Sequence, residues 1–181
     1  MNLPEKVRII AAVKKQNFDK ALLSDAEWIF DLSPDIFDIE SRANLAHRHS
    51  KKYFIHFDLC DGIGKDRSGI LFAKGLSVDG IISTRVNIIK TAREAGMFTV
   101  QRFFIVDSHS VDTTLEGIKS AKPDMIEIMP GILGKVMRRL CDKVSVPMIA
   151  GGLIETREDV LTAYESGADA VSTSKWELWS K

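Results

Sequence analysis

Short apolar runs alternate with longer mixed-charge stretches along all 181 residues, and the last two of these runs end in loops suited to hold an anion. Eight such runs leave roughly 23 residues per repeating unit, and this pattern predicts an α/β fold, a compact single-domain TIM (β/α)8 barrel spanning residues 1–181.

The predicted strands are Val7–Val13, Glu27–Leu32, Tyr53–Leu59, Gly80–Ser83, Thr99–Val106, Met125–Met129, Pro147–Ala150 and Ala170–Thr173. Helical periodicity fills the intervals. In Ile36–Arg48 the residues Ile36, Ile39, Ala43 and Ala46 fall near one face, and in Val86–Ala95 Ile88, Ile89 and Ala92 do the same. Ser33-Pro34-Asp35 reads as a helix start, and Gly96 and Gly167 as helix stops. Each unit has room for a strand of about five residues, a helix of about ten and short connections. The competing architecture is an open doubly wound sheet of about five or six strands, which requires two of the weaker runs not to be strands.

Composition agrees with a single core. With 45% hydrophobic residues the chain can bury one core, and it has no room for two sizeable domains. Lys+Arg and Asp+Glu both number 25, so no global field announces a nucleic acid or a membrane, and any basic surface must be local. Cys60 and Cys141 fit neither a metal spacing nor a disulfide framework. The opening Met1-Asn2-Leu3-Pro4-Glu5-Lys6 is polar and no apolar run reaches membrane length, so a cytoplasmic protein without metal or cofactor is expected.

The anion loops are the most informative feature. Val146-Pro147-Met148-Ile149-Ala150-Gly151-Gly152 is a buried-strand pattern ending in paired glycines, and Ala168-Asp169-Ala170-Val171-Ser172-Thr173-Ser174 ends in three hydroxyl residues before a short terminal helix. Glycines let backbone N–H groups approach an anion, hydroxyls add donors, and a helix N-terminus adds partial positive charge. In a (β/α)8 barrel the loops after strands seven and eight are a frequent phosphate site. The candidate phosphate-binding residues are therefore Gly151, Gly152, Ser172, Thr173 and Ser174.

A parallel barrel strand should be apolar on both faces, so charge near its C-terminal end stands out. Asp31, Asp58, Arg102 and Glu127 occupy such positions and are candidates for contacting a polyol; an internal ion-pair network is the alternative for each. The glycine-rich loop Cys60-Asp61-Gly62-Ile63-Gly64-Lys65-Asp66-Arg67-Ser68-Gly69 matches neither a P-loop nor a dinucleotide fingerprint. It reads either as a flap bringing Lys65 or Arg67 to the ligand or as an ordinary surface loop. No nucleophile–base set can be assembled, so no catalytic residue is assigned. Of the four histidines, His56 and His109 fall where they could reach the mouth.

Two basic runs are candidates for RNA contact: Arg48, Lys51 and Lys52 after the second helix, and Lys135, Arg138 and Arg139 along one face of the sixth. Solvated helix faces are the alternative for both.

Several motifs, in order, carry a resemblance. They are Phe57-Asp58-Leu59, Asp79-Gly80-Ile81-Ile82-Ser83-Thr84, Gln101-Arg102-Phe103-Phe104, Asp124-Met125-Ile126-Glu127-Ile128-Met129-Pro130-Gly131, Pro147-Met148-Ile149-Ala150-Gly151-Gly152-Leu153-Ile154 and Gly167-Ala168-Asp169-Ala170-Val171-Ser172-Thr173-Ser174. Together they resemble the glycerol uptake operon antiterminator family, the glycerol-3-phosphate responsive regulators, from the first strand to the end of the chain. The resemblance implies a TIM barrel, glycerol-3-phosphate as effector, and binding to the leader of a glycerol-metabolism mRNA so that transcription passes a terminator. It further implies a sensor on an enzyme-like fold rather than a catalyst. A small barrel enzyme acting on a phosphorylated polyol or sugar, with Asp58 or Glu127 as general base, is the alternative.

Overall fold

The computed structural model describes residues 8–180, so Val7, the first residue of the first expected strand, lies outside the described residues. Eight strands, β1 (Arg8–Val13), β2 (Trp28–Asp31), β3 (Lys52–His56), β4 (Gly80–Ser83), β5 (Phe98–Phe104), β6 (Met125–Met129), β7 (Met148–Gly151) and β8 (Ala170–Thr173), form a closed barrel. All eight pairings are parallel. Ring closure excludes the open doubly wound sheet, because β1 pairs with β8 (Ile10 opposite Ser172) as well as with β2 (Ile10 opposite Trp28).

Seven helices among the described residues surround the barrel: α1 (Phe18–Leu23), α2 (Ile39–Arg48), α3 (Arg67–Gly75), α4 (Val86–Glu94), α5 (Ser108–Ala121), α6 (Gly134–Cys141) and α7 (Arg157–Glu165). After β8 a single 3-10 turn, Trp176–Leu178, takes the place of an eighth helix. Several sequence-based boundaries shift by one or more residues, and the two largest shifts have a visible cause. The third strand ends at His56, because Phe57–Leu59 curls into a 3-10 turn. The second helix begins at Ile39 rather than Ile36, because the Asp35 carboxylate accepts the Phe37 N–H and the Asp35 backbone bridges to Asp61.

Strand parity decides which residues see the barrel axis. Ile10, Phe30, Phe54, Ile82, Val100, Ile149 and Ala170 pack together as the inner apolar layer, with Trp28 and Phe98 beneath it. Trp28 stacks on Phe54 at 4.7 Å between ring centroids and meets Phe98 edge-on at 5.5 Å. Alternate residues such as Ile29, Tyr53, Ile55 and Ile81 face outward against α1–α4, and Ile126, Ile128, Ala150 and Val171 face α5–α7.

The strands' N-terminal ends are pinned by a recurring device. Asp79, Asp124 and Asp169 each stand one residue before an even-numbered strand. Each accepts the backbone N–H of the preceding strand, from Tyr53, Thr99 and Met148 respectively, at 2.8 Å. A cavity of about 920 Å³ opens at this end, lined by groups that include Trp28, Phe98, Asp124 and Trp179. The buried polar side chains at inward positions lie at the other end.

Candidate functional site

Above the inner apolar layer, parity turns four polar side chains inward: His56 from β3, Arg102 from β5, Glu127 from β6 and Ser172 from β8. All are buried, Glu127 completely. Arg102 and Glu127 are register partners, and the Arg102 Nε donates to Glu127 Oε2 at 2.6 Å. The Ser172 hydroxyl donates to Glu127 Oε1 at 2.5 Å. Both carboxylate oxygens thus have a donor, which a buried carboxylate requires. Gly151 makes the pairing feasible. A Cβ there would collide with Glu127 Oε1 and lie 2.6 Å from the Ser172 hydroxyl.

His56 differs from its neighbours, since neither ring nitrogen has a hydrogen-bond partner. Burial first, and then the nearby Arg102 guanidinium, push its pKa down to about 4, so the ring is neutral near pH 7. The sequence placed His56 near a strand end where it could reach the mouth, without assigning it a role. Its position as the next inward residue after Phe54 is the signal that sets it among the inward polar groups.

Asp58 lies at the mouth but already serves the neighbouring loop. It accepts from the Ser83 hydroxyl (2.7 Å) and from the Thr84 N–H (2.7 Å) and hydroxyl (2.9 Å), with the Arg85 Nε 3.8 Å away. Burial works to raise its pKa, but the hydrogen bonds from Thr84 and Ser83 hold it below the usual carboxylate range.

Asp31 is corrected. Following the inward Phe30, it faces outward, where it accepts from Arg42 Nη1 on α2 (2.7 Å), the Tyr53 hydroxyl (2.7 Å) and the Ser33 N–H (3.0 Å). It is a fully buried strand-to-helix clamp, on the far side of the barrel wall from the inward polar groups. The candidate flap is also divided. Arg67 opens α3, where it is exposed with its guanidinium 3.8 Å from Glu94 on α4. Lys65 stays near the mouth, donating to the Cys60 carbonyl with its ammonium 5.2 Å from the Phe57 ring centroid. His109 is exposed within the first turn of α5, whose N-terminus is closed by a capping box between Asp107 and Ser110.

The last two loops interlock. Gly152 (φ +73°) and Leu153 (φ +58°) turn the chain after β7, and the Gly131 N–H donates back to the Gly151 carbonyl at 2.6 Å. Thr173 faces outward; its hydroxyl donates to the Ile154 carbonyl at 2.7 Å and accepts the Lys175 N–H at 3.1 Å. Trp179 Nε1 donates to the Thr173 carbonyl at 2.8 Å, anchoring the terminal turn. The Thr173 hydroxyl therefore ties loop to loop, the Ser172 hydroxyl points down at Glu127, and Ser174 is exposed at the rim.

The two basic runs differ. Lys135, Arg138 and Arg139 are exposed on α6, with Arg138 Nη1 donating to the Ser166 hydroxyl at 3.1 Å. Arg48 is exposed at the end of α2, and Lys52 is exposed while 3.3 Å from Asp79. Lys51 is corrected as a surface contact: it is buried, and its ammonium donates to the carbonyls of Ser24 (2.7 Å) and Ala26 (2.6 Å). Among the described residues, no cluster of three or more His, Cys, Asp or Glu could hold a metal ion, and no helix is long and apolar enough to cross a membrane.

The model of the glycerol-3-phosphate responsive antiterminator family matches residues 9–179. The chain belongs to this family. It is 36% identical over 174 residues to the uncharacterized protein YgcP of Escherichia coli (strain K12), covering 95% of this chain and 91% of that one. The crystal structure of the glycerol uptake operon antiterminator regulatory protein from Listeria monocytogenes superposes with a TM-score of 0.90 at 36% identity, covering 99% and 98% of the two chains. A glycerol uptake operon antiterminator-related protein from Thermotoga maritima gives 0.85 at 30% identity, covering 96% and 98%. The barrel and the family are those that the sequence motifs indicated.

Proposed function

We propose that the protein is a glycerol-3-phosphate-responsive regulator that binds the leader of a glycerol-metabolism mRNA in the cytoplasm and carries transcription past a terminator. The observation that carries this reading is the inward polar layer beneath two interlocked anion-type loops: His56, Arg102, Glu127 and Ser172 at the C-terminal end of the interior of a barrel of this family. The phosphate would sit against Gly152 and Ser174 at the rim, and the glycerol hydroxyls would descend toward Arg102, Glu127 and His56. Ser172 and Thr173 support the seat indirectly, by holding Glu127 and the Ile154 carbonyl.

Both carboxylates proposed as general bases in the enzyme alternative are fully engaged. Glu127 accepts from Arg102 and Ser172, and Asp58 from Ser83 and Thr84, which favours binding over proton abstraction. A gel shift with leader RNA tests the reading. Glycerol-3-phosphate should tighten RNA binding by roughly 5- to 150-fold, and linkage requires RNA to tighten the ligand by the same factor. The ligand should be recovered unchanged after long incubation, as followed by phosphorus NMR. RNA affinity indifferent to the ligand would remove the switch, and turnover would restore the enzyme.

A further inference from the structure

Buried polar groups in folded proteins almost always find a partner, so one that does not calls for an explanation. Among the described residues, the orphaned buried side-chain atoms belong to Ser33, His56 and Gln101. Gln101 faces outward, its amide nitrogen 3.4 Å from where a Cβ on Gly117 of α5 would stand. Ser33 lies beyond the end of β2. Only His56 belongs to the inward polar layer, 5% exposed, with Arg102, Glu127, Asp58 and Lys65 as the charged groups acting on it.

We propose that His56 is the residue that recognises the free hydroxyls of the effector, accepting a hydrogen bond from one hydroxyl of a three-carbon phosphomonoester on one ring nitrogen and donating one to the neighbouring hydroxyl from the other. This inference rests on the glycerol-3-phosphate reading above. The layer's carboxylate acceptor, Glu127, already has a donor on each oxygen, whereas the ring's acceptor nitrogen has none. That bare acceptor needs a hydroxyl donor, which an alkyl phosphate of the same length does not carry. A buried site built for a hydroxyl rejects analogues lacking it, because its polar atom is left unpaired. The ligand class is therefore an alcohol-bearing polyol monophosphate rather than its deoxy counterpart.

Calorimetric titration of the wild-type protein with glycerol-3-phosphate, propyl phosphate and inorganic phosphate tests this, alongside His56→Phe and His56→Asn. The wild type should prefer glycerol-3-phosphate over propyl phosphate by about tenfold or more, as expected for a buried hydrogen bond left unmade. His56→Phe should erase that preference and leave inorganic phosphate binding unchanged. Its unliganded melting temperature should stay level or rise, since an apolar ring replaces an orphaned polar one. His56→Asn should restore part of the preference, because its amide can both donate and accept, and it serves as the readout if the Phe variant does not fold. If the preference persists in both variants, or if both ligands and phosphate weaken together as the fold loosens, His56 is a packing residue and the inference falls. A wild type that binds glycerol-3-phosphate no better than phosphate would instead overturn the effector reading itself, and this inference with it.

Discussion

Two buried carboxylates gripped by guanidinium groups sit on opposite sides of one barrel wall. Asp31 on β2 faces outward and meets Arg42 of α2 together with the Tyr53 hydroxyl, within a shell of apolar helix contacts. Glu127 on β6 faces inward and meets Arg102 and the Ser172 hydroxyl at the floor of the mouth. Both are 0% exposed, and in both each carboxylate oxygen accepts at least one hydrogen bond. The difference lies in what surrounds the pair. Asp31 joins a strand to a helix, and losing it separates two layers of the fold. Glu127 joins three strands whose barrel pairings already hold them, so it is freer to serve a ligand.

The sharpest test removes the outward carboxylate. Asp31→Ala leaves the partly buried Arg42 guanidinium with only the half-exposed Asp38 carboxylate, 3.9 Å away, and takes the acceptor from the Tyr53 hydroxyl. Breaking a buried pair from one side costs about 3–5 kcal/mol, so urea denaturation should show a loss of that order. The fraction that remains folded should bind glycerol-3-phosphate as the wild type does. Weakened binding without a stability loss would reverse the assignment of the two pairs.

Glu127→Gln should do the opposite. It keeps the shape but removes the charge that holds Arg102, and hydrogen bonds to charged groups are worth about 1.5–3 kcal/mol. Affinity for glycerol-3-phosphate should fall by roughly ten- to a hundredfold, with inorganic phosphate less affected, and the unfolding midpoint should drop less than in Asp31→Ala, because the amide oxygen still fills the site and accepts from Arg102. Unchanged affinity for both ligands would make Glu127 as structural as Asp31.

These two residues also mark how far the sequence could be read. Both stood out for the same reason, a charge near the end of an apolar strand, and the eight-strand order followed from the alternation of runs. What separates them is a one-residue parity within a strand only a few residues long. That parity becomes legible once the register of closure is known: Ala12 opposite Phe30, and Arg102 opposite Glu127. Likewise, the sequence signals paired glycines and hydroxyls but not their division of labour. Thr173 holds the Ile154 carbonyl, Ser172 holds Glu127, and Gly151 is required because a Cβ would strike that carboxylate. His56 was obscured because Phe57–Leu59 reads as a continuation of its strand, while the chain turns there and leaves His56 as the last inward residue.

The inward polar layer should also reveal itself through pH. Burial, with the Arg102 guanidinium beside it, depresses the folded-state pKa of His56 to about 4, from 6.5 for the free side chain. Between those values only the unfolded chain holds the proton, so this contribution to stability is complete above pH 6.5 and is lost as pH falls toward 4, at up to about 1.4 kcal/mol per unit. Asp58 acts in the same direction but lower. Its folded-state pKa is depressed, so its contribution survives until the pH drops below the ordinary carboxylate range. Thermal melts of His56→Phe should lose the slope between pH 6.5 and 4 and keep the fall below it. An identical slope in the variant would mean that His56 titrates normally in an open site.

The smallest effect on the fold should come from the exposed cations, where the same contrast between inside and outside applies. Lys51 is spent on the Ser24 and Ala26 carbonyls, so Lys51→Met should lower the unfolding midpoint and leave RNA affinity alone. Lys135, Arg138 and Arg139 lie exposed on α6, and replacing all three with Gln should leave the melting temperature nearly unchanged. If α6 tracks the leader backbone, the triple variant should bind RNA more weakly and its salt dependence should flatten, by roughly 0.7 in log–log slope for each lost phosphate contact on a single strand. Arg48 and Lys52 give the parallel test for α2, with a weaker effect expected at Lys52 because Asp79 already partners it. Ligand affinity measured without RNA should survive in both sets, since Arg48 and the α6 cations project from outer helices and Lys52 stands at the N-terminal end of β3, opposite the mouth. A triple variant whose RNA affinity and salt slope match the wild type would move the contact off α6, and the same result for Arg48 and Lys52 would clear α2 as well.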